Sequence, residues 1–518
     1  MAVRTLDDHL RASAARTPAK TAIVAGDRRV SYDELDRLAD GIAGGLIASG
    51  IERGDRVGVF LPNTVEGAAS IYGVLRAGAG FSPLNPTMKA EKLGQVLADA
   101  GAAGIICESA HRGVVGAAAA LAPSLRTVVC VGEGEAGDIP FAQLAAHEAP
   151  RSLRATAIDL AALIYTSGST GKPKGVTLTH QNMTFAAASL AEYLEMQHDE
   201  VVLLCLPLSF DYGLYQLLLT VLVGGTLVLE KGFAFPGRVV GLLESEGVTG
   251  LPGVPTLFGV LLGLRGLGDR ELPALRYLSN TGAALSVTTI AGLRETFPAA
   301  RIYSMYGLTE CKRVSYLPPH LIDVKPASVG IPIPGTEVWV EDGDGNVCAP
   351  GEVGELIVRG PHVMQGYWND KDATAKRLRP GRWAWERELM TGDLFKRDAE
   401  GHLYFVGRKD DMIKSRGEKV APREVEEVLY AVPGVRDAAV IGVPDALLGS
   451  AIHAYVSVFE DAELDERMLK RACAAKLEDY MVPQRIEIRD ELPRSTAGKI
   501  DKLVLSAQAL ERLAAATA

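Results

Sequence analysis

Tyr165-Thr-Ser-Gly-Ser-Thr-Gly-Lys-Pro-Lys-Gly175 is the stretch on which the reading of this chain turns. It follows an apolar run, Leu160–Ile164, that reads as a strand, and it leads toward a helix start rich in Thr, His and Asn. Three glycines permit tight backbone turns, the Ser and Thr hydroxyls add donors, and Lys172 and Lys174 bring positive charge. A triphosphate cradle needs these features. It is not a Walker A loop, because Thr166 holds the place of that motif's first glycine and Pro173 the place after its lysine.

Outward from this loop, short apolar runs alternate with Ala/Leu-rich amphipathic stretches from Ala22 to Gly360. The runs include Thr21–Val24, Val57–Phe60, Gly104–Cys107, Val201–Leu206 and Thr226–Leu229. This rhythm predicts an α/β fold with parallel sheets covered by helices, arranged as two such subdomains. From Val329 to Arg359, Gly and Pro punctuate short strands, Glu337–Glu341 and Gly354–Arg359, so a small β subdomain is expected to close the large part. The charged run Arg408-Lys-Asp-Asp411 follows the strand-like His402–Gly407 and places a domain boundary between residues 409 and 410. Beyond it, a helix at Arg423–Ala431, strands near Val435–Val443 and Ile452–Phe459, and a helix at Glu466–Leu477 predict a small mobile α+β domain spanning 410–518.

Composition sets limits on partners. A length of 518 residues calls for more than one domain, and 47% hydrophobic with 23% charged residues is the balance of a soluble globular protein. A net charge of -10 with interspersed cations offers no footprint for nucleic acid. Cys107, Cys130, Cys205, Cys311, Cys348 and Cys473 form no CxxC pair, which fits a reducing cytoplasm rather than a disulfide framework. The N-terminal stretch lacks a signal-peptide core and no apolar run is long enough to span a bilayer, so a soluble, uncleaved chain is expected. The oligomeric state is left open. Gly41–Gly54 does not supply the GxGxxG of a dinucleotide-binding dehydrogenase.

Four further motifs recur in order: Met305-Tyr-Gly-Leu-Thr-Glu310, Thr391-Gly-Asp393, the run from Val406 to Glu426, and Pro493-Arg-Ser-Thr-Ala-Gly-Lys-Ile-Asp501. With the phosphate loop they make nearly the whole chain resemble the adenylate-forming superfamily of acyl-CoA synthetases and adenylation enzymes. That resemblance implies an ATP-dependent, AMP-forming acid–thiol ligase. It implies that ATP is held by Thr166, Ser167, Gly168, Ser169, Thr170, Gly171, Lys172 and Lys174, with Gly282, Ala283, Ala284, Ser304, Met305, Gly307 and Phe405 around the nucleotide. Tyr306 is then the face that stacks on adenine, Thr309 binds the α-phosphate, and Glu310 with Thr170 holds Mg²⁺. Asp393 and Arg408 hold the ribose, Lys499 is the lysine of the adenylation step, Asp410 is the hinge, and Lys414, with Lys419, serves the second step.

The acid is less legible. Leu206-Pro-Leu-Ser-Phe-Asp-Tyr-Gly-Leu214 occupies a motif in which many acyl-CoA ligases have histidine where Phe210 stands. Asp211 resembles the aspartate of amino-acid adenylation domains, and two readings stay open: it meets a substrate ammonium, or it caps a helix starting at Tyr212. Lys312 and Arg313, after Cys311, meet an anionic substrate tail, pair with Asp211, or face solvent. The loop Ser279–Leu285, which contains Gly282, resembles one pocket wall whose small side chains leave room for a ring or short chain, and Tyr212, Val254 and Ser304 are expected to line the pocket with it. Coenzyme A is the expected thiol, and the phosphopantetheine of a separate carrier protein is the alternative.

Overall fold

The computed structural model describes residues 4–150, 155–167, 173–268, 270–409, 411–415, 418–445, 448–459, 462–495 and 498–517. Two mainly parallel sheets carry the large part. One runs, edge to edge, Ile331–Pro332, Ser315–Tyr316, Arg301–Tyr306, Tyr277–Asn280, Gly250–Gly253, Val201–Leu204, Thr226–Leu229, Thr21–Ala25, Arg28–Ser31. Its six central strands, from Arg301–Tyr306 to Thr21–Ala25, are parallel. Helices cover it, which is why Val201–Leu204 and Thr226–Leu229 read as continuous apolar runs rather than alternating ones.

The second sheet runs Gly366–Tyr367, Pro173–Thr179, Leu160–Ser167, Gly80–Pro83, Arg56–Phe60, Gly104–Glu108, Thr127–Val131, Ile139–Pro140. Here the structure adds an element that the sequence reading lacked. Pro173–Thr179 is a strand antiparallel to Leu160–Ser167, pairing Tyr165 with Gly175 and Thr166 with Lys174. The two ends of the phosphate stretch are therefore paired strands of one hairpin, and the helix His180–Tyr193 begins only after the second, capped by Thr179 with Asn182 reciprocating.

The helix Asp211–Val223 is buried from Tyr212 to Val221, as expected for a helix apolar on all sides that packs inside the large domain. At the N-terminus, buried Arg76 holds Asp7, Asp36 and Asp40 at 2.7, 2.6 and 2.8 Å and ties the first two helices to Val65–Arg76.

The expected β subdomain is present as an antiparallel sheet of Glu337–Glu341, Gly354–Arg359, Arg387–Arg397 and Leu378–Pro380, with Leu403–Arg408 paired to Arg387–Arg397. A separate small domain follows. Its sheet contains Val435–Asp445 and Gly449–Val458, and the period of two sends Ala438 and Val440 to one core and Ala439, Ile441 and Val443 to another. The helices Pro422–Tyr430 and Glu466–Ala474 cover the first face, and Lys502–Thr517 covers the second through Leu505 and Ala509. All six cysteines are buried, unpaired thiols. Among the described residues no helix is long and apolar enough to cross a membrane.

Candidate active site

The strand Arg301–Tyr306 ends in a cleft between the large sheets, the β subdomain and the small domain. Ser304 and Met305 are buried within it, and the Met305 sulfur receives the Tyr193 hydroxyl at 2.9 Å. Tyr306 donates to Asp393 Oδ2 at 2.5 Å, and its ring lies 4.8 Å from that of Phe395 and 6.2 Å from that of Phe405. Asp393 pairs across the sheet with Arg408, whose Nε is 3.6 Å from Oδ1. Burial raises the Asp393 carboxyl above its ordinary range, against the pull of Tyr306, Arg408 and Arg377. An aromatic face, a carboxylate and an arginine thus meet at one corner of the cleft, the chemistry a nucleoside requires.

After Tyr306 the chain turns back under itself. A Cβ on Gly307 would lie 2.2 Å from the Lys312 carbonyl oxygen, so only glycine allows the turn through Thr309 and Glu310 to close. Glu310 accepts a hydrogen bond from the Tyr367 hydroxyl at 2.6 Å through Oε1. Tyr367 belongs to the edge strand beside the phosphate hairpin, pairs with Val176, and carries the Lys174 ammonium 5.3 Å from its ring centroid. The hairpin and the Glu310 turn are therefore joined by one aromatic side chain. Gly168, Ser169, Thr170, Gly171 and Lys172 lie outside the described residues, as do Asp410 and the side chains of Ser167, Lys414 and Lys419.

Lys499 reaches this cleft from the small domain. Its turn is braced by Arg494, which grips Asp437 with both carboxylate oxygens at 2.8 Å, and by the Ser495 amide on the Lys499 carbonyl at 2.7 Å. A Cβ on Gly282, where φ is +89°, would stand 3.5 Å from Lys499 Cε and 3.8 Å from both Phe210 Cζ and Val254 Cγ1. Ala283 and Ala284 beside it are exposed. The lysine is open to solvent within a cleft that surrounds it. Desolvation lowers its pKa, the Arg408 cation lowers it further, and Asp393 and Asp211 oppose both.

The structure corrects the capping alternative for Asp211. The helix is Asp211–Val223, its N-cap is Phe210, and Asp211 makes no capping bond. Instead Lys312 Nζ donates to the Asp211 carbonyl at 2.9 Å and to Oδ2 at 3.1 Å, and stands 4.2 Å over the Tyr215 ring. Of the three readings left open for Lys312, pairing with Asp211 is the one observed. Cys311 is fully buried, and Tyr212 is enclosed with its hydroxyl 2.7 Å from the Ser279 carbonyl oxygen. Burial pushes the Lys312 ammonium down to about 7, although Asp211 raises it.

Sequence reasoning missed Tyr367, Arg377 and the inward course of Arg313. Gly366-Tyr-Trp-Asn369 carried a signal in its adjacent aromatic residues, but only strand pairing reveals what they adjoin.

Residues 10–368 match the family of AMP-binding enzymes, and residues 424–499 match the AMP-binding enzyme C-terminal domain. The chain is 35% identical over 489 residues to a feruloyl-CoA synthase of Amycolatopsis sp, covering 94% of this chain and 95% of that protein. It is 32% identical over 529 residues to a long-chain-fatty-acid–CoA ligase of Bacillus subtilis, covering 96% and 93%. Among solved structures, ATP-bound MatB from Rhodopseudomonas palustris superposes with a TM-score of 0.89 at 30% identity over 97% of this chain and 98% of that one. Matches of this extent in both domains carry the conclusion from the cleft to the whole molecule: the chain belongs to the family of AMP-binding, adenylate-forming enzymes and is an AMP-forming acid–thiol ligase.

Proposed function

We propose that this enzyme converts a carboxylic acid, ATP and coenzyme A to an acyl-CoA, AMP and pyrophosphate, with the two half-reactions divided between faces of the small domain. The observation that carries this reading is Lys499, delivered from a separately cored domain to the wall formed by Gly282, Phe210 and Val254, opposite Asp393 and Arg408. In the first step a carboxylate oxygen attacks the α-phosphorus, a P–O bond breaks, and pyrophosphate leaves with its electron pair. The Lys499 ammonium sits where negative charge grows on the two reacting groups. Tyr306 offers the adenine its face, Asp393 and Arg408 take the ribose, and Thr309 and the hairpin through Lys174 meet the phosphates.

Glu310 fits a hard cation: its carboxylate has one oxygen held by Tyr367 and offers the other. Mg²⁺ bound there, with Thr170 as the family implies, neutralises phosphate charge. In the second step the small domain turns about the boundary between residues 409 and 410, with Asp410 as hinge. The strand carrying Lys414 takes the place of Lys499, a thiol loses its proton and attacks the acyl carbon, and AMP departs.

Coenzyme A is favoured over a carrier protein because the Asp211 carboxylate, the feature that pointed to amino acids, already has its cation in Lys312. The Amycolatopsis and Bacillus subtilis relatives described above are, by name, a feruloyl-CoA synthase and a fatty-acid–CoA ligase. Pyrophosphate release with ATP and Mg²⁺ across aryl, fatty, short-chain and amino acids, with and without coenzyme A, tests the reading. Thioester formation on amine-free acids supports it. Release confined to amino acids and indifferent to coenzyme A would replace it with the carrier-loading alternative.

A further inference from the structure

Arg377, just before the strand Leu378–Pro380, is a cation whose donors are largely unspent. Elsewhere in the β subdomain Arg379 holds Glu341 and Glu388, Arg359 holds Glu337, and Lys409 holds Glu355. Arg377 pairs with no carboxylate among the described residues, and its Nη1 reaches the Met390 carbonyl oxygen only at 3.5 Å. The guanidinium lies against Gly392, where a Cβ would stand 1.9 Å from Nη1 and 2.8 Å from Cζ, so the glycine before Asp393 leaves it its place. Its charge is felt at two groups of the cleft. Burial and Glu310 raise the Tyr367 phenol above its ordinary pKa and Arg377 opposes them; burial raises the Asp393 carboxyl and Arg377 is among the groups that oppose it. Arg377 thus sits beside both the Glu310–Tyr367 pair and the Asp393–Arg408 pair.

We propose that Arg377 binds the β-phosphate of ATP and stays with the pyrophosphate that leaves, a phosphate contact outside both the hairpin and the turn through Glu310. This deepens the ligase reading and rests on it. With the ribose at Asp393 and the metal-bound phosphates at Glu310, the phosphate chain passes from one corner to the other along this guanidinium. When the carboxylate attacks the α-phosphorus, the bond from that phosphorus to the bridging oxygen breaks, and the electron pair remains on the oxygen, now part of the β-phosphate. A guanidinium answers that charge with parallel N–H donors in a fixed fork, which one distant carbonyl does not exhaust. Balancing Asp393 does not require Arg377, because that carboxylate already has Tyr306 at 2.5 Å and Arg408 at 3.6 Å. The α-phosphate departs later with AMP, on the side of Asp393 and Arg408, so the two products should differ in their need for Arg377.

The test titrates the full chain with AMP, with magnesium pyrophosphate and with ATP·Mg²⁺, and measures kcat/KM for ATP on the acid of the panel that releases pyrophosphate fastest. Arg377→Met should weaken magnesium pyrophosphate and ATP·Mg²⁺ about ten- to hundredfold, lower kcat/KM for ATP in parallel, and leave AMP within about twofold. Arg377→Lys, which keeps the charge and loses the fork, should weaken pyrophosphate less, again without moving AMP. The loss should persist when Arg377→Met is made in Tyr367→Phe, where there is no hydroxyl for Arg377 to orient. Equal weakening of AMP and pyrophosphate in both Arg377 variants, unchanged pyrophosphate affinity, or a loss that vanishes in the Tyr367→Phe background would each overturn the assignment. Unchanged pyrophosphate affinity in a variant that still turns over would leave the ligase standing and remove only the role of Arg377; no pyrophosphate release by the wild type from any acid would remove both.

Discussion

The Tyr367 hydroxyl lies 2.6 Å from Glu310 Oε1 and so fixes one oxygen of the carboxylate proposed to hold Mg²⁺. Tyr367→Phe removes this bond and nothing else in size. A hydrogen bond to a charged group is worth about 1.5–3 kcal/mol, so pyrophosphate release should fall at least about tenfold. The Mg²⁺ concentration for half-maximal rate should rise with it, read from a metal titration at saturating ATP. Unchanged metal dependence would mean that Tyr367 does not position Glu310.

Lys499→Ala should lower the adenylation rate by roughly 10²–10³-fold, the usual loss on removing one group that stabilises developing charge. Thioester formation from a preformed acyl-adenylate should be largely spared. If Lys414→Ala, and not Lys499→Ala, abolished adenylation, the assignment of the two faces would be reversed.

Because desolvation and Arg408 lower the Lys499 pKa, its ammonium is lost below the ordinary lysine value of 10.5. Single-turnover adenylation should therefore decline as pH rises, with a midpoint below that value. Arg408→Ala removes a neighbouring cation and should move the midpoint upward. A downward move would contradict the electrostatic arrangement.

Lys312 makes a prediction about stability. Its pKa is about 7 when folded, against 10.5 when free, so between these values the unfolded chain binds more protons. Stability relative to Lys312→Met should accordingly rise with pH through this window, by up to about 1.4 kcal/mol per pH unit, and level off outside it. Urea unfolding of the two proteins at pH 7, 8 and 9 measures the slope; a falling difference would refute it.

Arg76→Ala leaves Asp36 without its cation and Asp7 and Asp40 with Arg11 alone, around a buried position. It should cost about 3–5 kcal/mol, seen in the same unfolding experiment, with little effect on the kinetics of the folded enzyme.

Most of the architecture was legible because it rests on local periodicity. Apolar runs gave Thr226–Leu229, Glu337–Glu341 and Gly354–Arg359 with the bounds the structure has. The strand Pro173–Thr179 escaped because half of it, Pro-Lys-Gly, reads as loop and is recruited by pairing with Leu160–Ser167. The gathering of Tyr306, Asp393, Arg408 and Lys499 was legible only through the family resemblance, since Tyr306 and Arg408 end strands whereas Asp393 lies inside Arg387–Arg397 and Lys499 in a turn. The pairing of Asp211 with Lys312 did not follow from it. It depends on the left-handed backbone of Lys312, at φ +64°, and on the glycine at 307 that lets the turn fold inward, relations that span 101 residues and leave no periodic trace.

The enclosure of all six thiols has a practical side. Burial pushes Cys107 and Cys205 up to about 12 and Cys473 up to about 11, so at neutral pH these sulfurs are protonated as well as hidden from a labelling reagent. A pair of cysteines introduced on the exposed faces of the two domains would be the reactive ones in an otherwise natural chain. Fluorophores attached there would report whether the small domain swings during turnover, molecule by molecule, without first stripping the protein of its own sulfur.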